Sequence, residues 1–105
     1  MKLSLAIVTA VTAMFLVDAA VAQSFNCRYA KKPDEVLICQ DRYLSGLDEE
    51  MSGLYFNVRK YLSRGHRKAL EAEQAAWLRS RMRCGYDYGC VEGHYLDRIS
   101  ELRRY

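Results

Sequence analysis

Between Asp41 and Ser63 the apolar residues Leu44, Leu47, Met51, Leu54, Tyr55, Val58 and Leu62 recur at steps of three and four. That spacing lines one face of an α-helix and predicts the longest helix of the chain. Asp41 stands where an N-cap belongs. Gly46 and Gly53 fall inside this helix and each weakens it by about 1 kcal/mol relative to alanine, so they mark either close packing or tolerance. Ser63-Arg64-Gly65 is the predicted break, with Gly65 suited to the left-handed position that ends a helix. A further helix is expected from about Arg67 to Arg83, carrying Leu70, Gln74, Trp77, Leu78 and Arg81 along one side, with Trp77 in the core beside Leu70 and Leu78. Cys84-Gly85-Tyr86-Asp87-Tyr88-Gly89-Cys90 reads as a tight corner. A last helix then presents Val91, Tyr95, Ile99 and Leu102 on one face. Upstream, Pro33 suits a first helical turn and Asp34 and Glu35 favour a helix N-terminus, which predicts a short helix from about Pro33 to Gln40. No alternating β-branched run occurs from Gln23 onward. The expected fold is all-α: a small disulfide-stapled helical bundle of three longer helices plus one short N-terminal helix.

The first 22 residues follow a different pattern. Lys2 gives a short positive start, Leu3 to Val17 are apolar apart from Ser4, Thr9 and Thr12, and Ala20-Val21-Ala22 has the small-x-small form of a cleavage site. This reads as a secretory signal peptide cleaved after Ala22. The run is shorter than the ~20 apolar residues that span a bilayer, and Asp18 lies near its end. Residues 23–105 then form one domain, a size that excludes a multidomain enzyme. Cys27 follows Ser24-Phe25-Asn26 and not the small residues of the cleavage site, so lipid anchoring is not expected, and no later segment is apolar enough to cross a membrane. The expected location is exported, periplasmic or secreted.

Lys2 and Asp18 depart with the leader, leaving 15 basic and 12 acidic residues and a net charge still of +3. So mild a charge, on an exported chain, argues against nucleic acid as a partner. Export also gives the four cysteines a meaning: Cys27, Cys39, Cys84 and Cys90 imply a disulfide framework. Three pairings are formally possible, and the local spacing favours Cys27 with Cys39 and Cys84 with Cys90, each worth about 2–3 kcal/mol on the loop-entropy model. A four-cysteine zinc site would need C-x2-C spacing, which neither pair has.

Phe25-x-Cys27, Pro33, Glu35, Ile38-Cys39-x-Asp41, Leu44, Leu47-Asp48, Tyr55, Leu70, Gln74-x-x-Trp77-Leu78-x-x-Arg81, Cys84-Gly85-x-Asp87-x-x-Cys90 and Tyr95-x-x-Arg98-Ile99 form an ordered set. In that order, around four cysteines, the set resembles the LprI-type lysozyme inhibitor family of small exported bacterial proteins, over nearly the whole of residues 23–105. The resemblance implies an exported binding protein that acts on a lysozyme or another wall-degrading enzyme without covalent chemistry. A structural or assembly factor of the cell envelope, with no enzyme target, is the other class the sequence allows.

Asp48, Arg81 and Arg98 match positions of that resemblance and border the apolar stripes. They could form a recognition cluster, but opposite charges at helix contacts read better as an interhelix ion pair. Trp77, Leu78 and Gln74 could line a groove, although their spacing is that of a packed face. Catalysis has little to work with. His66 and His94 are the only histidines, no serine or cysteine is available as a nucleophile once the bridges form, and Asp48-Glu49-Glu50 point in different directions around a helix, so no enzyme activity, metal or cofactor is expected. His94 with Glu92 or Asp97 is too unspecific a set for a metal. The Tyr86-Asp87-Tyr88 corner is the candidate partner-binding surface, because flanking cysteines would hold two aromatics rigid at a tip. Asp87 is also placed to cap the last helix. Oligomeric state is not legible.

Overall fold

The computed structural model describes residues 24–105, so the leader and its cleavage site lie outside the described residues. A 3-10 turn at Cys27–Tyr29 leads into α1 (Pro33–Gln40), α2 (Arg42–Tyr61), α3 (Arg64–Met82) and α4 (Tyr88–Leu102). The described residues contain no strand. The bundle is all-α with three longer helices, a short first one and two disulfides, Cys27–Cys39 and Cys84–Cys90.

Local chemistry accounts for the boundaries. Pro33 opens α1, where its missing N–H costs nothing. Asp41 caps α2 by accepting from Leu44 N at 2.9 Å, and Ser45 Oγ donates to Ile38 O across the same junction. Asp87 caps α4 by accepting from Cys90 N at 3.1 Å.

The α2–α3 break differs from the expected one. Ser63 caps α3 and accepts from His66 N, which places Gly65 inside the first turn. The left-handed residue is instead Gly85, with φ of 59°, in the loop after α3. A serine that supplies a side-chain acceptor to an otherwise unpaired amide starts the helix at Arg64, three residues before the expected Arg67. Gly46 and Gly53 have no atom within 4 Å of a Cβ placed on them, so tolerance explains them and close packing does not.

The contacts fix the topology. Tyr43 meets Glu92 and Asp48 meets Tyr95, so α4 runs parallel to α2; Arg81 meets Tyr95 and Gln74 meets Arg98, so it runs antiparallel to α3. The α2–α4 interface is the largest in the bundle. Ile38, Leu44, Leu47, Met51, Leu70, Val91, Tyr95, Ile99 and Leu102 form the core. The stripe on α2 continues beyond it, but Leu54, Tyr55, Val58 and Leu62 are only half-buried. At 1.5 Å per residue α2 is about 30 Å long and α4 about 22 Å, so the last turns of α2 outrun their cover.

Trp77 is likewise half-buried and not sealed. It packs edge-on against Tyr95, with ring centroids 5.2 Å apart, and its Nε1 donates to His94 O at 3.1 Å. An indole N–H needs an acceptor, and the nearest one lies at the rim of the core.

Candidate functional site

Two arrangements of polar groups organise the molecule, one sealed and one open. The sealed one centres on Arg81, whose Nε donates to Asp34 Oδ2 at 2.8 Å and whose Nη1 donates to the Tyr95 hydroxyl at 2.9 Å. Tyr95 passes its own proton donation to Asp48 Oδ1 at 2.7 Å, with Arg81 Nη1 3.8 Å from the same oxygen. Ser24 closes the far side of Asp48, donating from its backbone N and its Oγ, both at 2.7 Å. Phe25, Trp77 and Tyr95 surround the guanidinium, their ring centres 5.3–5.8 Å from Arg81 Cζ.

Burial works against the charge on Arg81, but Tyr95, Asp34 and Asp48 outweigh it and raise its pKa above the ordinary arginine value. Burial likewise pushes the Tyr95 phenol far above the usual tyrosine range, with Asp48 adding to the shift and Arg81 opposing it. All charged members are buried, and Asp34 and Arg81 border a recess of about 220 Å³ together with Ser24, Phe25 and Lys32. The work of the cluster is to tie the N-terminal segment and all four helices together.

Asp48 and Arg81 therefore meet, while Arg98 belongs to a second group. Arg98 Nε donates to Gln74 Oε1 at 2.9 Å and its Nη1 reaches Glu101 Oε1 at 3.0 Å and Glu73 at 3.9 Å. One helical turn separates Tyr95 from Arg98, enough to give each a different partner helix segment. The sequence reading missed Asp34, which it assigned to the helix N-terminus. A buried acid in a first turn leaves no local trace that distinguishes it from one facing solvent.

The open arrangement is the corner. Cys84 and Cys90 close it, Asp87 N donates to Cys84 O at 3.1 Å, and Asp87 Oδ1 caps α4. Tyr86 stands 62% exposed and Tyr88 40% exposed. The two tyrosines are not equivalent. Tyr88 lies in the first turn of α4 and donates its hydroxyl to Asp41 Oδ2 at 2.9 Å, which fastens the corner to the α1–α2 junction. Tyr43, 47% exposed, donates to Glu92 at 2.8 Å beside it. The Glu92 hydrogen bond raises the Tyr43 pKa, and partial desolvation followed by the Asp41 bond raises that of Tyr88. The result is a surface on which Tyr43 and Tyr88 are tied to Glu92 and Asp41, with the exposed Tyr86 and the capping Asp87 in the adjoining loop and exposed Arg42 between Asp41 and Tyr43 in sequence. The Tyr43–Glu92 pairing escaped the sequence reading because the two residues lie 49 positions apart.

Between α2 and α3 lies a groove of about 490 Å³ lined by Tyr55, Phe56, Arg59, Glu71, Gln74 and Leu78 among others. The Arg59–Glu71 pair crosses it at 2.7 Å. Gln74 and Leu78 do line this groove, while Trp77 does not. Each histidine meets a serine hydroxyl, which the sequence reading did not foresee: His66 bonds Ser63 at 2.9 Å, and His94 bonds Ser80 at 2.7 Å and the Cys90 carbonyl at 2.8 Å. Cys84, Cys90 and His94 bring their ligand-type atoms within 4.8 Å of one another, but the two sulfurs are bonded to each other. No helix among the described residues is long and apolar enough to cross a membrane.

Comparison with known proteins adds one relationship. Lipoprotein LprI of Mycobacterium tuberculosis and that of Mycobacterium bovis are each 32% identical to this chain over 83 residues. The chain is similar to LprI. The matched region is 76% of this chain and 41% of each relative, so the chain spans less than half the length of the curated LprI proteins it matches. No family model matches it, and no solved structure matches it.

Proposed function

We propose that this chain is an exported protein that binds a lysozyme and inhibits it without covalent chemistry, using the corner at Tyr86-Asp87-Tyr88 with Tyr43 beside it. The observation that carries the reading is a face of exposed tyrosines held by a disulfide, a helix cap and the Tyr88–Asp41 bond. Tyrosines fixed in this way contribute contact area at little cost in ordering, and tyrosine is enriched among interface anchors. Animal lysozymes are strongly basic, and Asp41, Asp87 and Glu92 are acidic groups on this surface that such an enzyme can pair with. The resemblance to LprI-type inhibitors and the similarity to LprI support the same reading.

In this proposal residues 1–22 are the leader, removed after Ala22, and residues 23–105 act as one unlipidated domain in the periplasm or outside the cell. The net charge of +3 favours a second reading, because it provides no long-range attraction to a basic enzyme. In that reading the domain is a structural or assembly factor of the envelope. Purified residues 23–105 assayed against several lysozyme classes separate the two: dose-dependent inhibition supports the first, and no inhibition of any class leaves the second.

A further inference from the structure

His94 lies against the Cys84–Cys90 bridge in a defined tautomer. Its Nδ1 is 2.8 Å from the Cys90 carbonyl oxygen, which only accepts, so Nδ1 carries a proton. Nε2 lies 2.7 Å from the Ser80 hydroxyl oxygen, and this hydrogen bond holds the ring in place. The Nδ1 nitrogen also lies beside the bridge, 3.4 Å from Cys84 Sγ and 3.9 Å from Cys90 Sγ, near enough for its proton to turn from the carbonyl to a sulfur that gains charge. A donor beside a sulfur stabilises the thiolate that forms when an S–S bond breaks, and lower basicity of the leaving thiolate speeds exchange. The shorter distance singles out Cys84 as the leaving sulfur.

Cys90, the other half of the bridge, is half-buried and borders a recess. The recess, of about 380 Å³, is lined by Trp77, Gly89, Cys90, Gly93, His94 and Asp97 among others, and Cys90 is the sulfur-bearing residue in its wall. Gly89 and Gly93 flank Cys90 within α4, where glycine weakens a helix relative to alanine. Packing does not require them: a Cβ at Gly93 meets nothing within 4 Å, and one at Gly89 meets only Asp87 Oδ1 at 3.8 Å. Their effect is to leave the approach to Cys90 uncovered.

We propose that Cys84–Cys90 is a thiol–disulfide exchange site, entered from this recess by the thiolate of an external dithiol. The incoming sulfur bonds to Cys90 Sγ, the Cys84–Cys90 bond breaks, and its electron pair leaves on Cys84 Sγ beside His94 Nδ1–H. The second thiolate of the reagent then attacks the reagent's own sulfur in the mixed disulfide and releases Cys90. The reagent ends as a cyclic disulfide, the bridge has gained two electrons, and the two cysteines take up the protons the reagent gave to solvent. Opening the bridge removes the staple from the Tyr86-Asp87-Tyr88 corner. The proposal stands apart from the lysozyme reading.

The test uses folded residues 23–105 with glutathione at neutral pH, trapping with N-ethylmaleimide and locating the adducts by peptide mapping. Glutathione on Cys90 with maleimide on Cys84 is the expected product, and the reverse or an even split overturns the proposal. With dithiothreitol, His94→Ala should slow opening of Cys84–Cys90 at least fivefold while leaving the Cys27–Cys39 rate unchanged. Gly93→Leu should slow the same step severalfold without lowering the melting temperature. An unchanged rate in both variants, or an equal change at both bridges, also overturns it. The adduct position in the unmutated protein decides the matter even where a variant fails to fold.

Discussion

Arg81 on α3 donates to Asp34 on α1 at 2.8 Å, with the two side chains only 4% and 0% exposed. Taking both charges out of water costs several kcal/mol per ion, and their mutual attraction repays this only when further hydrogen bonds complete the geometry. Tyr95 and Asp48 supply them on the Arg81 side. The pair crosses 47 positions of sequence and sets the position of α1 on the bundle.

Removing one charge of the cluster should therefore be severe. Arg81→Met leaves two buried carboxylates without their cation and is expected to cost about 3–5 kcal/mol; Asp34→Ala should cost less, because Arg81 keeps Asp48 within reach. Urea unfolding of each variant and of the Asp34→Leu, Arg81→Met double variant measures this. The double variant should recover only the part of the Arg81→Met loss that Asp34 causes, because Asp48 stays buried without its cation, and an Arg81→Met cost below about 1 kcal/mol would contradict the account.

Tyr95 sets an alkaline limit. Its pKa is raised in the fold, so the native state keeps the phenol proton that the unfolded chain releases near the ordinary value of 10.0. The associated stability is fully present below that pH and is lost progressively as pH rises above it toward the folded value. Urea midpoints between pH 8 and 11 should fall steeply at the alkaline end. Tyr95→Phe should flatten most of that slope, although it leaves Asp48 and Arg81 short of one hydrogen bond and lowers stability at neutral pH.

Trp77 lies at the rim of the core, and its truncation should reflect that. Trp77→Ala is expected to cost about 2–3 kcal/mol, less than the 3–5 of a fully sealed aromatic. Leu44→Ala, at a site with no exposure, should cost at least as much despite the smaller side chain. A Trp77→Ala variant that barely folds while Leu44→Ala melts near the parent would place the indole at the centre after all.

The tyrosine face separates binding from folding. Tyr86→Ala should leave the melting temperature within about a degree of the parent, because this side chain is largely exposed and makes no core contact. Tyr88→Ala loses the bond to Asp41 and should lower it slightly. If the face contacts a lysozyme, the double variant should weaken inhibition about tenfold or more, near 1.4 kcal/mol. Unimpaired inhibition by a folded double variant would move the contact elsewhere, with the α2–α3 groove the next surface to test.

What could be read from the chain itself was short in range. Helix periodicity named the three longer helices, Pro33 with Asp34 and Glu35 marked the short one, and Asp41 and Asp87 announced two caps because a cap is a contact over three residues. The favoured cysteine pairs, 12 and 6 positions apart, are the pairs the fold joins. Where two local signals competed, the reading slipped: Gly65 looked like a terminator, but Ser63 supplies the stronger local interaction and starts α3 before it. The LprI resemblance likewise rests on an ordered set of residues and needs no geometry.

The tertiary structure decided everything that depends on which faces meet. A periodic pattern states that a side chain lies on the apolar side of its helix, but not what stands opposite or how far the opposing helix extends. Asp34 turns inward because α3 brings Arg81 to it, while Glu35, the next residue along, does not. Arg98 takes Gln74 and Glu101 and not Asp48, because one turn of α4 carries it past the Arg81 cluster. The second half of α2 stays half-buried because α4 is shorter, and His94 acquires its place beside a disulfide through Ser80, 14 positions away on α3. Each of these is a long-range pairing among several that the same helices would permit, and the choice among them is made by packing the whole bundle at once.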